Sequence, residues 1–249
     1  MKFKMDVMVT QFEVDAACAF LEKERLEIPK GMADDVKQTG PASKTFYVVA
    51  KDDNGGILGV GKLSPYDIQA KPDGPVKVET IYMRQFSDFV ANSERTCQFL
   101  ESVLDICKAR QVSVVLTREW LAHFARAGKK KRATLMITQS EADEARAFLE
   151  RNHFEIPEGM ADDVRQTGPT SQTFYVMDRN TNGSIFGVAK ISPHDIQAKH
   201  GGPVKIEAVY IDKGCRKHSP FYKDILRACA DRKVPGIVLE TEEMGFLSA

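Results

Sequence analysis

The stretch GMADDVKQTGPASKTFYV at residues 31–48 returns as GMADDVRQTGPTSQTFYV at residues 159–176. When the sequence is shifted by 128 positions, about 40 of the 64 pairs between residues 20–83 and 148–211 are identical, which marks a duplicated unit. The segments VMVTQFEVDAACAFLE and LMITQSEADEARAFLE extend the match back to near the first residue. The sequence therefore contains two copies of one unit.

The repeat predicts two domains, at residues 1–128 and 133–249, joined by a linker at residues 129–132. With 249 residues, 43% of them hydrophobic, the chain can bury two ordinary cores. The basic run AGKKKR around the linker is typical of solvated surface. Lysine plus arginine and aspartate plus glutamate both number 35, so the net charge favours neither nucleic acid nor membrane as a partner.

The cysteines predict reduced core thiols. They are odd in number and show no CxxC or Cys/His spacing: Cys18, Cys97, Cys107, Cys215 and Cys229. The five histidines show no ligand spacing either, so we expect no metal site. No stretch has the length and apolar character of a membrane span, and the first residues lack an unbroken apolar run. We expect a cytoplasmic protein.

Each copy is predicted to begin with a strand, at residues 7–10 and 135–138, followed by a helix. The pairs Thr10 with Glu13 and Thr138 with Glu141 have the spacing of a capping box. A short helix through GMADDV should end at the Gly-Pro of QTGP. Helical spacing predicts three core-facing side chains in each first helix: Ala16, Phe20 and Leu21, and Ala145, Phe148 and Leu149.

The middle of each copy predicts a β-hairpin. Residues 45–51 and 57–62 are β-rich and are joined by DDNGG, while RNTNGS joins their counterparts, so Asn-Gly lies in both turns. A further strand at residues 76–83 or 204–211 leads into a helix and a short apolar strand, VSVVLT or GIVLE. Because a helix separates the last two strands, we expect them to be parallel. The order β, α, (α), β, β, β, α, β predicts an α/β fold with a mixed sheet.

This order, together with VKIEAVYIDKGCRKHSPFYKDIL at residues 204–226, resembles the GNAT (general N-acetyltransferase) family. In that family a strand ending in Glu, any residue, hydrophobic, Tyr and hydrophobic leads into a loop with the pattern Arg, two residues, Gly, one residue, Gly or Ala. Glu207, Tyr210 and Arg216 match this order, whereas Ser219 and Phe221 stand where the family usually has glycines. The resemblance implies two tandem GNAT-like domains, related as pseudo-twofold repeats.

The resemblance also implies acetyl-CoA or another acyl-CoA as the cofactor, bound by the second copy. A strand that opens into a helix offers unpaired N–H groups and the positive end of the helix dipole to a pyrophosphate. The first copy is about six residues longer after Tyr82 and has no recognisable loop, so we expect it to be architectural. The implied cofactor-binding residues are Ile211, Arg216, Lys217, His218, Ser219 and Phe221.

The fourth-strand glutamate of the family often acts as the general base, a role that the resemblance gives to Glu207 and Glu79. The other interpretation is a solvated or salt-bridged glutamate beside Lys205 or Lys77. The tyrosine that protonates the departing thiolate in the family has no match, because Ala125 stands at its position in the first copy. The second copy is predicted to stop before the equivalent helix, so water would supply that proton.

Both copies retain the loop SPxDIQAK ahead of the glutamate strand. Its polar residues are candidates for contacts with the acceptor, although a recent duplication explains the similarity equally well: Asp67, Gln69, Asp195 and Gln197. The adjacent pair Asp34 and Asp35, repeated in the second copy, is more typical of a solvated acidic helix face. Tyr47 and Tyr175 are more typical of packing within a sheet.

We therefore expect a protein that transfers an acyl group to a primary amine of a small molecule or peptide. It would act as a monomer with pseudo-dimeric repeats or as a homodimer. Two alternatives stay open. One is a binding or scaffold protein whose GNAT-like units have lost catalysis, and the other is a small-molecule sensor with its site between the repeats.

Overall fold

The computed structural model describes residues 4–40, 43–66, 74–84, 89–126, 133–168, 171–194, 202–212 and 219–247. The first half of the chain forms β1 (Lys4–Val7), α1 (Gln11–Lys23), α2 (Met32–Lys37), β2 (Phe46–Lys51), β3 (Ile57–Pro65), β4 (Val76–Met83), α3 (Phe89–Ala109), β5 (Val114–Thr117) and α4 (Arg118–Arg126). The second half forms β6 (Ala133–Leu135), α5 (Gln139–Arg151), α6 (Met160–Gln166), β7 (Phe174–Arg179), β8 (Ile185–Pro193), β9 (Val204–Ile211), α7 (Ser219–Asp231), β10 (Gly236–Leu239) and α8 (Thr241–Leu247).

The strands follow the same order in each half. β1, β2, β3 and β4 are antiparallel neighbours, and β5 lies parallel to β4. β6, β7, β8 and β9 repeat this arrangement, with β10 parallel to β9. The predicted mixed sheet, the hairpin and the parallel last pair are thus confirmed.

The chain divides into two compact units. Two helices, α4 and α8, each follow one repeat in sequence but belong to the unit of the other repeat. The first unit contains Met1–Val115 and Glu240–Ser248, and the second contains Leu116–Leu239. Within the first unit α8 packs on α3, and within the second α4 packs on α7. The prediction that the second copy ends before such a helix is therefore wrong. The predicted linker at residues 129–132 lies outside the described residues.

The helices α1 and α2 pack on one face of β2 and β3 in the first unit. Their buried side chains, among them Val14, Phe20 and Leu21, pack with Tyr47 and Val60 in one core cluster. On α1 the residue that turns to the core is Ala17 rather than the predicted Ala16, which is half-buried. On α5 the three side chains predicted to face the core are buried: Ala145, Phe148 and Leu149.

The first strand of each copy lies about three residues earlier than predicted. β1 ends at Val7 and β6 ends at Leu135 because Thr10 and Thr138 already serve as the N-caps of α1 and α5. The apolar residues between strand and cap still pack inward. Met8 and Met136 are fully buried, and each donates its backbone N–H to a tyrosine carbonyl on the neighbouring strand.

An arginine fixes the loop that follows the second helix in each unit. Arg110 donates to the carbonyl oxygens of Gly40 and Ser43, at 2.7 and 3.1 Å, and its guanidinium lies 4.5 Å from the ring centroid of Phe46. Arg232 makes the equivalent contacts with Gly168, Ser171 and Phe174 in the second unit. Charged donors on loop carbonyls and a cation on an aromatic face both stabilise, so the loop is held against its sheet.

The capping box of α5 provides a pH-dependent contribution to stability. Glu141 accepts backbone N–H bonds from Ile137 and Thr138, each at 2.9 Å, while Thr138 accepts from the Glu141 N–H. Burial raises the pKa of Glu141, but these hydrogen bonds and the charge of Arg179 outweigh burial and hold the pKa below its ordinary value of 4.5. A carboxyl whose pKa is lowered by folding stabilises the fold above its unfolded pKa and loses that effect as pH falls through its folded pKa.

We expect Glu141→Ala to lower the free energy of unfolding by about 1 kcal/mol at pH 7, with the difference shrinking at pH 3. Urea unfolding at the two pH values measures both differences. The matched control is Glu158→Ala, at an exposed glutamate outside the helices, which should change little at either pH. An equal loss at pH 3 and pH 7 would show that the ionised carboxylate is not the stabilising group.

Candidate functional site

A β-bulge places the candidate glutamate of each unit. Opposite β8, Lys190 pairs with Ala208 and Ile191 pairs with Ile206, so Glu207 is the extra residue on β9. The register of β3 and β4 shifts at the equivalent place and makes Glu79 the extra residue there. Bulges redirect a side chain and are over-represented next to active sites. The same irregularity therefore presents a carboxylate in both units.

Glu207 is held by polar side chains of β8. Lys190 Nζ lies 3.0 Å from Glu207 Oε1, and the Ser192 hydroxyl also donates to this carboxylate. Burial raises the pKa of Glu207, but these two hydrogen bonds and the charges of Lys190 and Lys205 outweigh burial and lower the pKa below 4.5. The carboxylate is thus ionised at neutral pH, as a general base must be.

The two partners differ in exposure. The side chain of Glu207 is 40% exposed, while that of Lys190 is only 16% exposed. In the first unit Lys62 Nζ lies 3.4 Å from Glu79 Oε2, with exposures of 19% and 38%. In each pair the glutamate is therefore more exposed than the lysine. The lysine lies on the neighbouring strand, not beside the glutamate in sequence.

A tyrosine and an aspartate extend each pair into the protein. The Tyr175 hydroxyl donates to Asp163 Oδ2 at 3.3 Å, and the Tyr47 hydroxyl donates to Asp35 Oδ2 at 3.1 Å. Both tyrosines are fully buried. Burial, followed by the negative charge of Asp163, raises the pKa of Tyr175 far above its ordinary value, so the phenol stays protonated. The neighbouring Asp162 pairs instead with Arg165 on the exposed helix face.

We call the four residues Asp163, Tyr175, Lys190 and Glu207 the polar row of the second unit. Tyr175 and Lys190 are register partners on β7 and β8, which places their side chains side by side on one face. In the first unit, where Asp35, Tyr47, Lys62 and Glu79 correspond, Lys62 Nζ lies 6.0 Å from the ring centroid of Tyr47. Sequence reasoning found only the glutamates. The available signal was the identity of all four residues in both copies.

The strand that carries Glu207 leaves its parallel neighbour just before the bulge. β10 pairs with β9 at Val204 and Lys205, and no other described β10 residue pairs with β9. β5 pairs with β4 in the same way, at Val76 and Lys77. Main-chain groups of β9 beyond Lys205 on that edge therefore have no β10 partner in the described part of the chain, and Glu207 stands at the start of this opening.

The segment predicted to bind the cofactor is described only at its two ends. Arg216, Lys217, His218 and the side chain of Ser219 lie outside the described residues. Ile211 is the last residue of β9 and pairs with Gly187. The ring of Phe221 is fully buried and lies 5.9 Å from that of Phe186, so the group that Phe221 can offer a cofactor is its backbone N–H.

Phe221 also explains a glycine on β8. A Cβ at Gly187 would lie 2.8 Å from the Phe221 ring, so only glycine fits beneath it. In the first unit Gly59 meets Phe99 of α3 in the same way. The helix α3 has 21 residues and α7 has 13, so the extra length of the first copy is helical where the second copy has its predicted loop.

The predicted acceptor-binding residues Asp67, Gln69, Asp195 and Gln197 lie outside the described residues. Among those that the structure does describe, no group of three or more His, Cys, Asp or Glu side chains is arranged to hold a metal ion. Cys18, Cys97, Cys107 and Cys229 are free thiols. No helix in the described ranges is both long and apolar enough to cross a membrane.

No protein-family model matches the sequence, and no curated protein matches it. Solved structures are similar to it at low identity. One is a fungal multi-domain GH3 beta-N-acetylglucosaminidase with a GCN5-related glucosamine N-acetyltransferase region, 12% identical, with a TM-score of 0.34, over 96% of this chain and 35% of that chain. The chain thus spans about a third of the length of that enzyme.

Two further solved structures have similar scores. A putative phosphinothricin N-acetyltransferase is 13% identical, with a TM-score of 0.35, over 55% of this chain and 89% of that chain. The N-myristoyltransferase of Saccharomyces cerevisiae, solved with myristoyl-CoA, is 7% identical, with a TM-score of 0.32, over 95% of this chain and 72% of that chain.

Proposed function

We propose that the protein transfers an acyl group from acetyl-CoA or another acyl-CoA to a primary amine of a small molecule or peptide, in its second unit. The observation that supports this most directly is the position of Glu207. Its carboxylate is ionised, 40% exposed and bulged out of a strand that leaves its parallel neighbour at that point. The chain then runs from this strand into α7, whose first turn offers N–H groups to a phosphate.

In this proposal Glu207 accepts a proton from the acceptor ammonium, directly or through water. The neutral nitrogen attacks the thioester carbon, the C–N bond forms and the C–S bond breaks. The amide nitrogen would release its second proton to water, and water would supply the proton with which CoA leaves as the free thiol. Acyl-CoA supplies the activated acyl group when it is bound, while Ile211, Arg216, Lys217, His218, Ser219 and Phe221 are the residues proposed to hold it.

A non-catalytic binding protein is the second candidate, and one observation favours it. The buried ring of Phe221 stands where the resembling family has a glycine, and Pro220 beside it has no N–H to donate. Both residues reduce what the first turn of α7 can offer a pyrophosphate. The first unit, which has no such loop, is proposed to be architectural in either case.

The acyltransferase requires binding of acyl-CoA, whereas the non-catalytic binding protein does not. We expect acetyl-CoA at about 100 times its dissociation constant to raise the free energy of unfolding by roughly 2.7 kcal/mol, because it binds only the folded state. Thermal unfolding with acetyl-CoA, a long-chain acyl-CoA and free CoA measures this stabilisation. Calorimetric titration gives the dissociation constants.

Arg216→Ala is expected to weaken this binding at least tenfold, because it removes a charge proposed to face the phosphates. The matched control is Arg146→Ala, an exposed arginine on α5 paired with Glu150, which should bind acyl-CoA as the wild type does. No stabilisation by any of the three compounds at millimolar concentration would rule out the acyltransferase and favour the non-catalytic binding protein.

A further inference from the structure

The polar row of the second unit contains a charge that the proposed reaction does not need. Lys190 pairs with Glu207 and lowers its pKa, which makes the carboxylate a weaker base. If Lys190 paired only with Glu207, whether or not an acceptor is bound, it would lower the basicity of Glu207 without helping the reaction. The equivalent pair in the first unit is Lys62 and Glu79, so the ion pair is common to both copies.

An incoming ammonium group must share or take the carboxylate of Glu207. Lys190 would then lose its counter-ion while its side chain stays 84% covered, because only 16% of it is exposed. Removing the partner of a lysine whose side chain is largely covered is destabilising. The other carboxylate of the row, Asp163, is already bonded to the Tyr175 hydroxyl. A simple amine would therefore bind Glu207 at the expense of Lys190.

A ligand that carries a carboxylate beside its ammonium group removes this penalty. Its ammonium replaces Lys190 as the partner of Glu207, and its carboxylate replaces Glu207 as the partner of Lys190. Lys190 Nζ and Glu207 Oε1 lie 3.0 Å apart, which is close to the separation between the ammonium nitrogen and a carboxylate oxygen of an α-amino acid. Glu207 is more exposed than Lys190. The ammonium group bound to Glu207 would therefore lie on the solvent side of the pair, where an acyl group can reach it.

We propose that the acceptor site of the second unit recognises a free amino acid, with Glu207 binding its α-ammonium group and Lys190 its α-carboxylate. This inference rests on the proposed function and specifies its acceptor. Phe154 and Tyr210, whose ring centroids lie 5.5 Å apart, are half-buried and pack against the core cluster that contains Tyr175. Tyr210 is close enough to Lys190 and Glu207 for both charges to act on its hydroxyl.

Matched pairs of compounds test the inference without turnover. Each pair is an amino acid and the amine that remains without its carboxylate: alanine and ethylamine, lysine and cadaverine, tyrosine and tyramine. Calorimetric titrations of the full chain, with and without saturating CoA, are expected to show at least one amino acid binding tenfold or more tighter than its amine. If none of the three amino acids is preferred to its amine in either condition, the inference is wrong.

Lys190→Met is expected to abolish this preference by weakening amino acid binding at least tenfold, with amine binding unchanged or tighter. Lys190→Arg, which keeps the charge, should restore part of the preference. Retained amine binding by Lys190→Met shows that this variant is not merely misfolded. The control Lys205→Met removes a nearby charge and should change amino acid affinity less than twofold. If Lys205→Met reduces the preference as much as Lys190→Met, general electrostatics account for it and the specific role of Lys190 is wrong.

These titrations are independent of acyl-CoA chemistry. If amino acids bind in a Lys190-dependent manner but acyl-CoA does not bind, the amino acid site is supported and the acyltransferase is wrong. If acyl-CoA binds and acyl groups reach amines without any preference for amino acids, the acyltransferase stands and the acceptor assignment falls.

Discussion

Glu207→Gln is expected to lower kcat for acyl transfer about a thousandfold while leaving the dissociation constant of acyl-CoA within a factor of two. The glutamine keeps the size of the side chain and can still accept a hydrogen bond from Ser192, but it cannot take a proton from the acceptor. The measurement is steady-state release of CoA, with the amino acid preferred by the wild type as acceptor. Binding of acyl-CoA is titrated separately.

Glu79→Gln is the matched variant, because it changes the same bulge in the first unit. We expect it to cost less than tenfold in kcat, since the first copy lacks the predicted phosphate loop. A large loss in Glu79→Gln with little loss in Glu207→Gln would place the reaction in the first unit. Full turnover in both variants would make the two glutamates structural partners of Lys62 and Lys190.

Met244→Ala is expected to lower the free energy of unfolding by about 3 kcal/mol, the usual range for a fully buried methionine. Met244 lies on α8, which packs on α3 in the first unit. The loss should therefore appear as faster amide exchange in residues 89–109. Urea unfolding followed by peptide-resolved hydrogen exchange measures both quantities.

The control for Met244→Ala is Glu242→Ala, at an exposed position two residues earlier on the same helix. It should leave stability within about 0.5 kcal/mol of the wild type. If Met244→Ala instead accelerates exchange in residues 219–231 and leaves 89–109 protected, α8 stabilises the repeat that precedes it in sequence, and its assignment to the first unit is wrong.

Most of the sheet could be predicted because its signals are local. Asn-Gly in both turns predicts the β2–β3 and β7–β8 hairpins, and Gly55 and Gly183 have the positive φ angles that such turns require. The capping boxes follow from a spacing of three residues. The start of β1 was placed too late because Met8 and Val9 look like strand residues, while the N-cap at Thr10 already fixes the beginning of the helix.

The exchange of α4 and α8 could not be predicted, because neither helix carries a sequence signal for the unit on which it packs. The loop contacts of Arg110 and Arg232 were missed for a related reason. About 70 residues separate Arg110 from Gly40, so their meeting depends on the folded sheet rather than on neighbouring sequence.

At the candidate site, the glutamates could be found because they lie in a recognisable strand pattern. The rest of the polar row required the strand register. Lys190 and Glu207 are 17 residues apart in sequence, and Tyr175 and Asp163 are 12 apart. Considered one at a time, the aspartate is typical of a solvated helix face and the tyrosine is typical of packing within a sheet. Only the pairing of β8 with both β7 and β9 brings the four side chains into one row.

The membership of α8 in the first unit sets an order of events during protein synthesis. Val115, the last residue of the first segment of that unit, is made 125 residues before Glu240, the first residue of the second segment. At bacterial and eukaryotic elongation rates this interval is roughly 6 to 25 s. The side of α3 that receives α8 is uncovered on the ribosome during that time. A nascent chain of this protein should therefore be a substrate for chaperones that bind exposed apolar helices.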